Sequence, residues 1–228
     1  MTAASTPSAR SLGETMPRWL AEMVSGKALH MAPDDEAAAR AAELDEAWSD
    51  AIPFAYRWAS LDDPRLAACG KIGRFVDTAR EMVRASVLPR RITLAGDAGD
   101  GKTLLGVAIL RALSLLRLCR PMFVSSPDLA EARIQARAGN GEAPLVVAAT
   151  GARLVLLDDL GMAAATHRDA NISVVDDRFK AGATTIVTTG FTMDQLAAKY
   201  GDGVARRVFG RSADSGGDVW IVDFRGAP

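Results

Sequence analysis

Residues 96–103 read Gly-Asp-Ala-Gly-Asp-Gly-Lys-Thr and fit the spacing G-x-x-x-x-G-K-[ST] at every required position. The flanks constrain the chain as much as the string does. Arg91–Gly96 (RITLAG) has the character of a short apolar strand, and Lys102–Leu118 that of a strongly apolar helix. A glycine loop between such a strand and such a helix demands an α/β fold with the loop at the carboxyl end of a buried strand. The glycines let the loop wrap tightly, so successive backbone N–H groups face phosphate oxygens. The helix that follows adds its positive N-terminal end. Lys102 neutralises the β- and γ-phosphates, and the Thr103 hydroxyl ligates Mg²⁺. The nucleotide-binding residues are thus Gly96, Gly99, Asp100, Gly101, Lys102, Thr103 and Leu104, with ATP and Mg²⁺ as the bound species. Asp97 and Asp100 bring negative charge to a polyphosphate site; pointing outward they would leave binding intact but modest.

The second required part follows downstream. Leu154-Val155-Leu156-Leu157-Asp158-Asp159 is an apolar run ending in two acids. So apolar a strand belongs in the sheet centre, and its tip then lies at the ligand edge beside the loop. Asp158 is expected to hold the Mg²⁺ shell, and Asp159 to orient or deprotonate the attacking water.

Between and beyond these parts, strands alternate with helices. PMFVSS, RLVLLDD, TTIVTTG and VWIVDF (121–126, 153–159, 184–190 and 219–224) read as strands, with helical patterns between them. This implies a parallel sheet flanked by helices on both faces. Asp63-Pro64 starts a helix carrying Leu66, Ile72, Phe75, Val76, Ala79 and Met82 on one face, ending before Pro89. Upstream, residues 1 to about 15 have a disordered composition. Helices are expected over 17–27 and, capped by Asp34, over 36–48, so a small α-helical extension (1–50) precedes an ATPase domain (51–228).

With 228 residues, 49% hydrophobic and 24% charged, the chain can bury a sizeable core. A net charge of −1 restricts any nucleic-acid contact to a local basic patch. Cys69 and Cys119 lack ligand-spaced neighbours, and His30 and His167 are isolated, which argues against a zinc site. No apolar run approaches the ~20 residues that span a bilayer, and no signal pattern opens the chain, so a cytoplasmic protein without membrane contact is expected.

Three further strings, LVLLDDLG, ISVVDDRFKAGATTIVTTG and LAAKYGDGVARRVFG, together with IPFAYRWASLDD, resemble the AAA+ ATPases of the DnaC/IstB family, and IPFAYRW favours the DnaC branch. The resemblance implies a P-loop NTPase fold of AAA+ type and a loader that delivers a replicative DNA helicase onto single-stranded DNA. The alternatives are an IstB-like transposition helper on duplex DNA and a nucleotide-dependent switch with little hydrolysis. In such a loader, residues 1–50 dock the helicase and Arg207 acts as an arginine finger on a neighbouring subunit, mediating self-assembly, with Arg206 as fallback. Arg225 corresponds to a sensor arginine within the subunit. Arg178 also matches a family arginine, at a subunit contact or in a structural role. TTIVTTG is the sensor strand; where the family carries asparagine this chain has Gly190, so Thr188 or Thr189 substitutes for it or hydrolysis is slow. For DNA, Arg133 and Arg137 share a helix face, with Arg111, Arg117 and Arg120 nearby, although a solvated charged helix accounts for them equally well.

Overall fold

The computed structural model describes residues 33–86, 89–136, 141–164, 168–210 and 219–225. The expected tail, the helix over 17–27, Arg137 and both histidines lie outside these residues. Internal contacts divide the chain into Met1–Ala42 and Glu43–Pro228. Helix α1 (Pro33–Ala51) runs past that division. At its C-terminal end Leu44, Trp48 and the following Ile52 are buried, and the last two join the core of the larger unit.

Five strands form one parallel sheet: β1 (Arg91–Ala95), β2 (Met122–Ser125), β3 (Leu154–Asp158), β4 (Thr184–Thr189) and β5 (Val219–Asp223). Their order across the sheet is β2-β3-β4-β1-β5. Every residue of β3 and β4 is buried, as the unbroken apolar run of β3 requires of a strand covered on both faces. Side chains alternate between two cores. Ile92, Leu94, Leu154, Leu156 and Ile186 point to one, which is covered by α1, α3 (Gly73–Arg84) and α4 (Lys102–Arg117). Val155, Leu157 and Val187 point to the other, beneath α5 (Ser126–Gln135), α6 (Pro144–Gly151), α7 (Asp169–Lys180), α8 (Met193–Tyr200) and α9 (Asp202–Phe209).

One expectation fails. The helix from Pro64 is not continuous: α2 (Pro64–Ala67) stops, Gly70–Ile72 makes a 3-10 turn, and α3 starts afresh. Two glycines cause the break. Gly70 has φ +35°, and a Cβ on Gly73 would sit 2.2 Å from the Ala67 carbonyl oxygen. Apolar periodicity runs through the break because Leu66, Ile72 and Val76 all face the same core.

Candidate nucleotide site

The glycine loop leaves β1 at Ala95 and enters α4 at Lys102, as the motif demands. Gly96 admits no side chain: a Cβ would lie 2.7 Å from Asp100 Oδ2 and 2.8 Å from the Phe224 Cβ. Gly101 has φ +85°, and a Cβ there would meet Ile72 at 2.9 Å. Lys102 is buried, and its ammonium donates to the Asp97 carbonyl at 2.7 Å. Thr103 and Leu104 lie half-buried in the first turn of α4, whose N–H groups are the free donors of a helix N-terminus.

Asp158 ends β3 opposite this turn. The Thr103 hydroxyl donates to its Oδ1 at 2.9 Å, and the Thr188 hydroxyl donates to the same oxygen at 2.6 Å. Thr188 reaches it because β4 lies between β3 and β1. The same hydroxyl accepts the Asp159 N–H at 2.9 Å and so links both acids. Asp159 is exposed with φ +53°, a conformation Asp tolerates better than most residues, and it turns the chain out of the sheet directly after Asp158. Burial pushes the Asp158 carboxyl up, Asp159 adds to the rise, and the two threonine hydrogen bonds and Lys102 oppose it. Between the alternatives Thr188 and Thr189, the geometry puts Thr188 against the acids. Thr189 instead donates to the Leu160 carbonyl, and Gly190 is exposed at the strand end.

The donor set suits magnesium carried by a nucleotide. Among the described residues no group of three or more His, Cys, Asp or Glu could hold a metal ion alone. A hydroxyl and one carboxylate provide hard oxygen ligands and leave the remaining positions to water and phosphates, the usual arrangement for Mg²⁺.

Two residues, Lys71 and Tyr56, join the site without having been expected there. Asp100 does not point outward: its Oδ2 accepts the Asp97 N–H at 2.8 Å, and Lys71 Nζ lies 2.9 Å from its Oδ1. Lys71 holds the Asp100 carboxyl below the ordinary aspartate range. An acid inside a phosphate loop called for such a counter-charge, and the lysine within Gly70-Lys71-Ile72 was the available signal. Tyr56, in the 3-10 turn Phe54–Tyr56, lies close enough to Asp158 and Asp159 that, after partial burial, their charges raise its phenol. No local sequence signal marks it.

The arginines separate. Arg225 is clamped by Asp223, with Nε to Oδ1 at 2.9 Å and Nη2 to Oδ2 at 3.0 Å, near enough to the loop to feel Asp97 and Asp100. Arg207 is not brought to its own chain's cradle. It lies near the opposite edge of the sheet, its Nη1 2.9 Å from Asp176 Oδ1 and its guanidinium over Phe179. Arg206 beside it is exposed. Arg178 is 1% exposed and donates to Thr185 Oγ1 and the carbonyls of Ala149, Thr150, Ala152 and Thr184, so its role is structural. Burial lowers it to about 10, and it stays cationic at neutral pH.

The expected DNA-facing arginines are largely engaged within the fold. Arg133 pairs with Glu142, and Arg111 reaches the Asp45 carboxylate and the Arg57 carbonyl beside the Trp48 ring. Exposed Arg90, Arg117 and Arg153 surround a hollow of about 580 Å³ where α4, α6 and α7 end. Cations at helix C-termini offset the negative ends of the helix dipoles.

No protein-family model matches the sequence, and no curated protein does. Solved structures do match. The crystal structure of the DnaC helicase loader superposes with a TM-score of 0.59 at 21% identity, over 75% of this chain and 100% of that one. DnaI gives 0.55 at 21%, over 76% of this chain and 91% of that one. The replication initiator DnaA bound to AMPPCP and single-stranded DNA gives 0.55 at 16%, over 72% of this chain and 49% of that one. The chain shares the α/β fold of these AAA+ proteins, with its five-stranded parallel sheet flanked by helices. Among the described residues no helix is long and apolar enough to cross a membrane.

Proposed function

We propose that this chain binds ATP with Mg²⁺, hydrolyses it slowly, and acts in DNA replication as a loader that delivers a replicative helicase onto single-stranded DNA. The observation that carries the ATPase reading is the convergence on Asp158 Oδ1 of two hydroxyls, Thr103 from the P-loop and Thr188 from β4. That oxygen and the Thr103 hydroxyl would hold the metal, which when bound offsets charge on the polyphosphate. Lys102 neutralises the transferred phosphoryl group. Asp159 is held at the strand tip by its N–H bond to Thr188 and orients the attacking water. The loader reading is supported by a likeness that covers the whole of the DnaC helicase loader chain, and the single-stranded DNA by the DnaA complex. Residues 1–50 dock the helicase, and Arg207 serves a neighbouring subunit.

The test is ATP hydrolysis by purified protein with single-stranded DNA, with duplex or with neither, alongside Lys102→Ala and Arg207→Ala. Stimulation by single strands that both variants lose is the expected result. Stimulation by duplex alone would replace the loader with a transposition helper.

A second reading, a nucleotide switch with little turnover, draws on exposed Gly190 at the end of β4 and on Arg207 held by Asp176 of its own chain. Multiple turnover that disappears in Asp159→Asn would exclude it.

A further inference from the structure

An acid in a loop that must wrap a polyphosphate is an electrostatic liability, because each nearby unit of negative charge opposes the incoming anion. Asp100 sits at that position, and its side chain is turned into the loop's base rather than toward solvent. Its environment explains how the loop tolerates it. One carboxylate oxygen accepts the Asp97 N–H at 2.8 Å; the other is 2.9 Å from the Lys71 ammonium. The Asp100 N–H in turn donates to the Asp97 carbonyl at 3.3 Å, and the Lys102 ammonium donates to that same carbonyl at 2.7 Å. A continuous path of contacts therefore runs from Lys71 through Asp100 and Asp97 to the phosphate-binding lysine.

Lys71 reaches the loop because the helix breaks. Gly70 and Gly73 interrupt the apolar helical pattern at the 3-10 turn, and the turn lands on the loop at two points: Ile72 beneath Gly101 and Lys71 on Asp100. A continuous helix would leave neither contact in place. A guanidinium also lies nearby, that of Arg225, but it is held bidentately by Asp223.

We propose that Lys71 is a positioning residue of the phosphate cradle: it cancels the Asp100 charge and holds the Asp97–Asp100 turn that seats Lys102. The proposal rests on the ATP-binding reading above and identifies a residue from outside the P-loop on which that binding depends. As a contribution to stability the pair is minor, since the Lys71 side chain is 45% exposed and exposed ion pairs contribute little. Its effect lies in the loop that an arriving nucleotide meets, with the Asp100 carboxylate neutralised and kept on the Asp97 N–H.

The experiment is calorimetric titration of the full chain with Mg-ATP and with Mg-ADP. The variants are Lys71→Met, which keeps the stem and drops the charge; Lys71→Arg, which keeps the charge; Asp100→Asn, which keeps an acceptor for the Asp97 N–H; and the double variant Lys71→Met/Asp100→Asn. Lys71→Met is expected to weaken ATP about tenfold, and ADP less, with the gap closing as salt approaches 1 M, where the Debye length is about 3 Å. Lys71→Arg should stay within about twofold of the parent, because the opposite charge is retained. In the Asp100→Asn background, Lys71→Met should cost clearly less than in the parent, because only the lysine's direct attraction for the phosphates is left to lose. Equal losses from Lys71→Met in both backgrounds, or no loss in the parent, would overturn the proposal while leaving ATP binding established. A parent chain that binds no ATP would instead sink the ATPase reading, and this proposal with it. Melting curves for each variant separate a folding defect from a binding one, and the Asp100→Asn arm needs no lysine truncation to be informative.

Discussion

Lys102 and Arg178 are both buried cations, 7% and 1% exposed, at opposite edges of the same sheet. Arg178 has its donors distributed over one hydroxyl and four carbonyls from α6, β4 and the residue after α6. Among the described residues the Lys102 ammonium makes one hydrogen bond, to a carbonyl of its own loop, although an ammonium carries three donors. The first arrangement locks elements together. The second leaves donor capacity in a loop that can recognise an anion. On the ATP-binding reading, equal burial thus serves structure in one place and ligand chemistry in the other, and partner count tells them apart. Arg207 is intermediate: its Nη1 makes an ion pair with Asp176 Oδ1 at 2.9 Å without hydrogen-bond alignment, and its buried Nε has no hydrogen-bond partner among the described residues.

The comparison can be broken at several points. Arg178→Met should cost the most stability, about 3 kcal/mol or roughly 6–12 °C in Tm, because it leaves buried carbonyls without donors. ATP affinity, measured below the melting range, should hardly change. Lys102→Ala should do the reverse, cutting hydrolysis by about 100-fold or more with Tm nearly unchanged, since it deletes charge stabilisation rather than packing. Comparable Tm losses in the two variants would mean that partner count does not separate the roles. Thr188→Val removes the hydroxyl shared by Asp158 and Asp159; turnover should fall about tenfold while ATP binding holds within about threefold. The smallest effect on the isolated chain belongs to Arg207→Ala, with a stability change of about 1 kcal/mol for a pair only about a quarter exposed. Hydrolysis should then fall only at protein concentrations that permit assembly, and an equal loss in dilute monomer would refute a role on a neighbouring subunit.

Parts of this contrast were legible before any fold was known. The glycine loop and the acid-ended strand announce themselves locally, because a phosphate cradle and a buried parallel strand each need a particular run of adjacent residues. The same reasoning missed the break at Gly70–Ile72, because Leu66, Ile72 and Val76 keep facing one core through it. It left Arg178 open between a contact and a strut, because nothing adjacent reveals that carbonyls from α6 and β4 close around it. It treated Arg111 and Arg133 as available charge, although their partners Asp45 and Glu142 are visible only in three dimensions.

The sequence by itself determined that a strand, a glycine loop and an apolar helix follow one another, that two acids end a strand buried on both faces, and that strands alternate with helices. These are properties of neighbouring residues, set by backbone sterics and apolar periodicity. Tertiary structure decided that, on the β4 strand lying between the loop strand and the acid strand, Thr188 rather than Thr189 meets Asp158. It also decided that Asp100 turns inward onto Lys71 and that Arg207 lies away from its own cradle. Those outcomes depend on which distant segments share space, and burial of both sheet faces settles that only once the chain has packed.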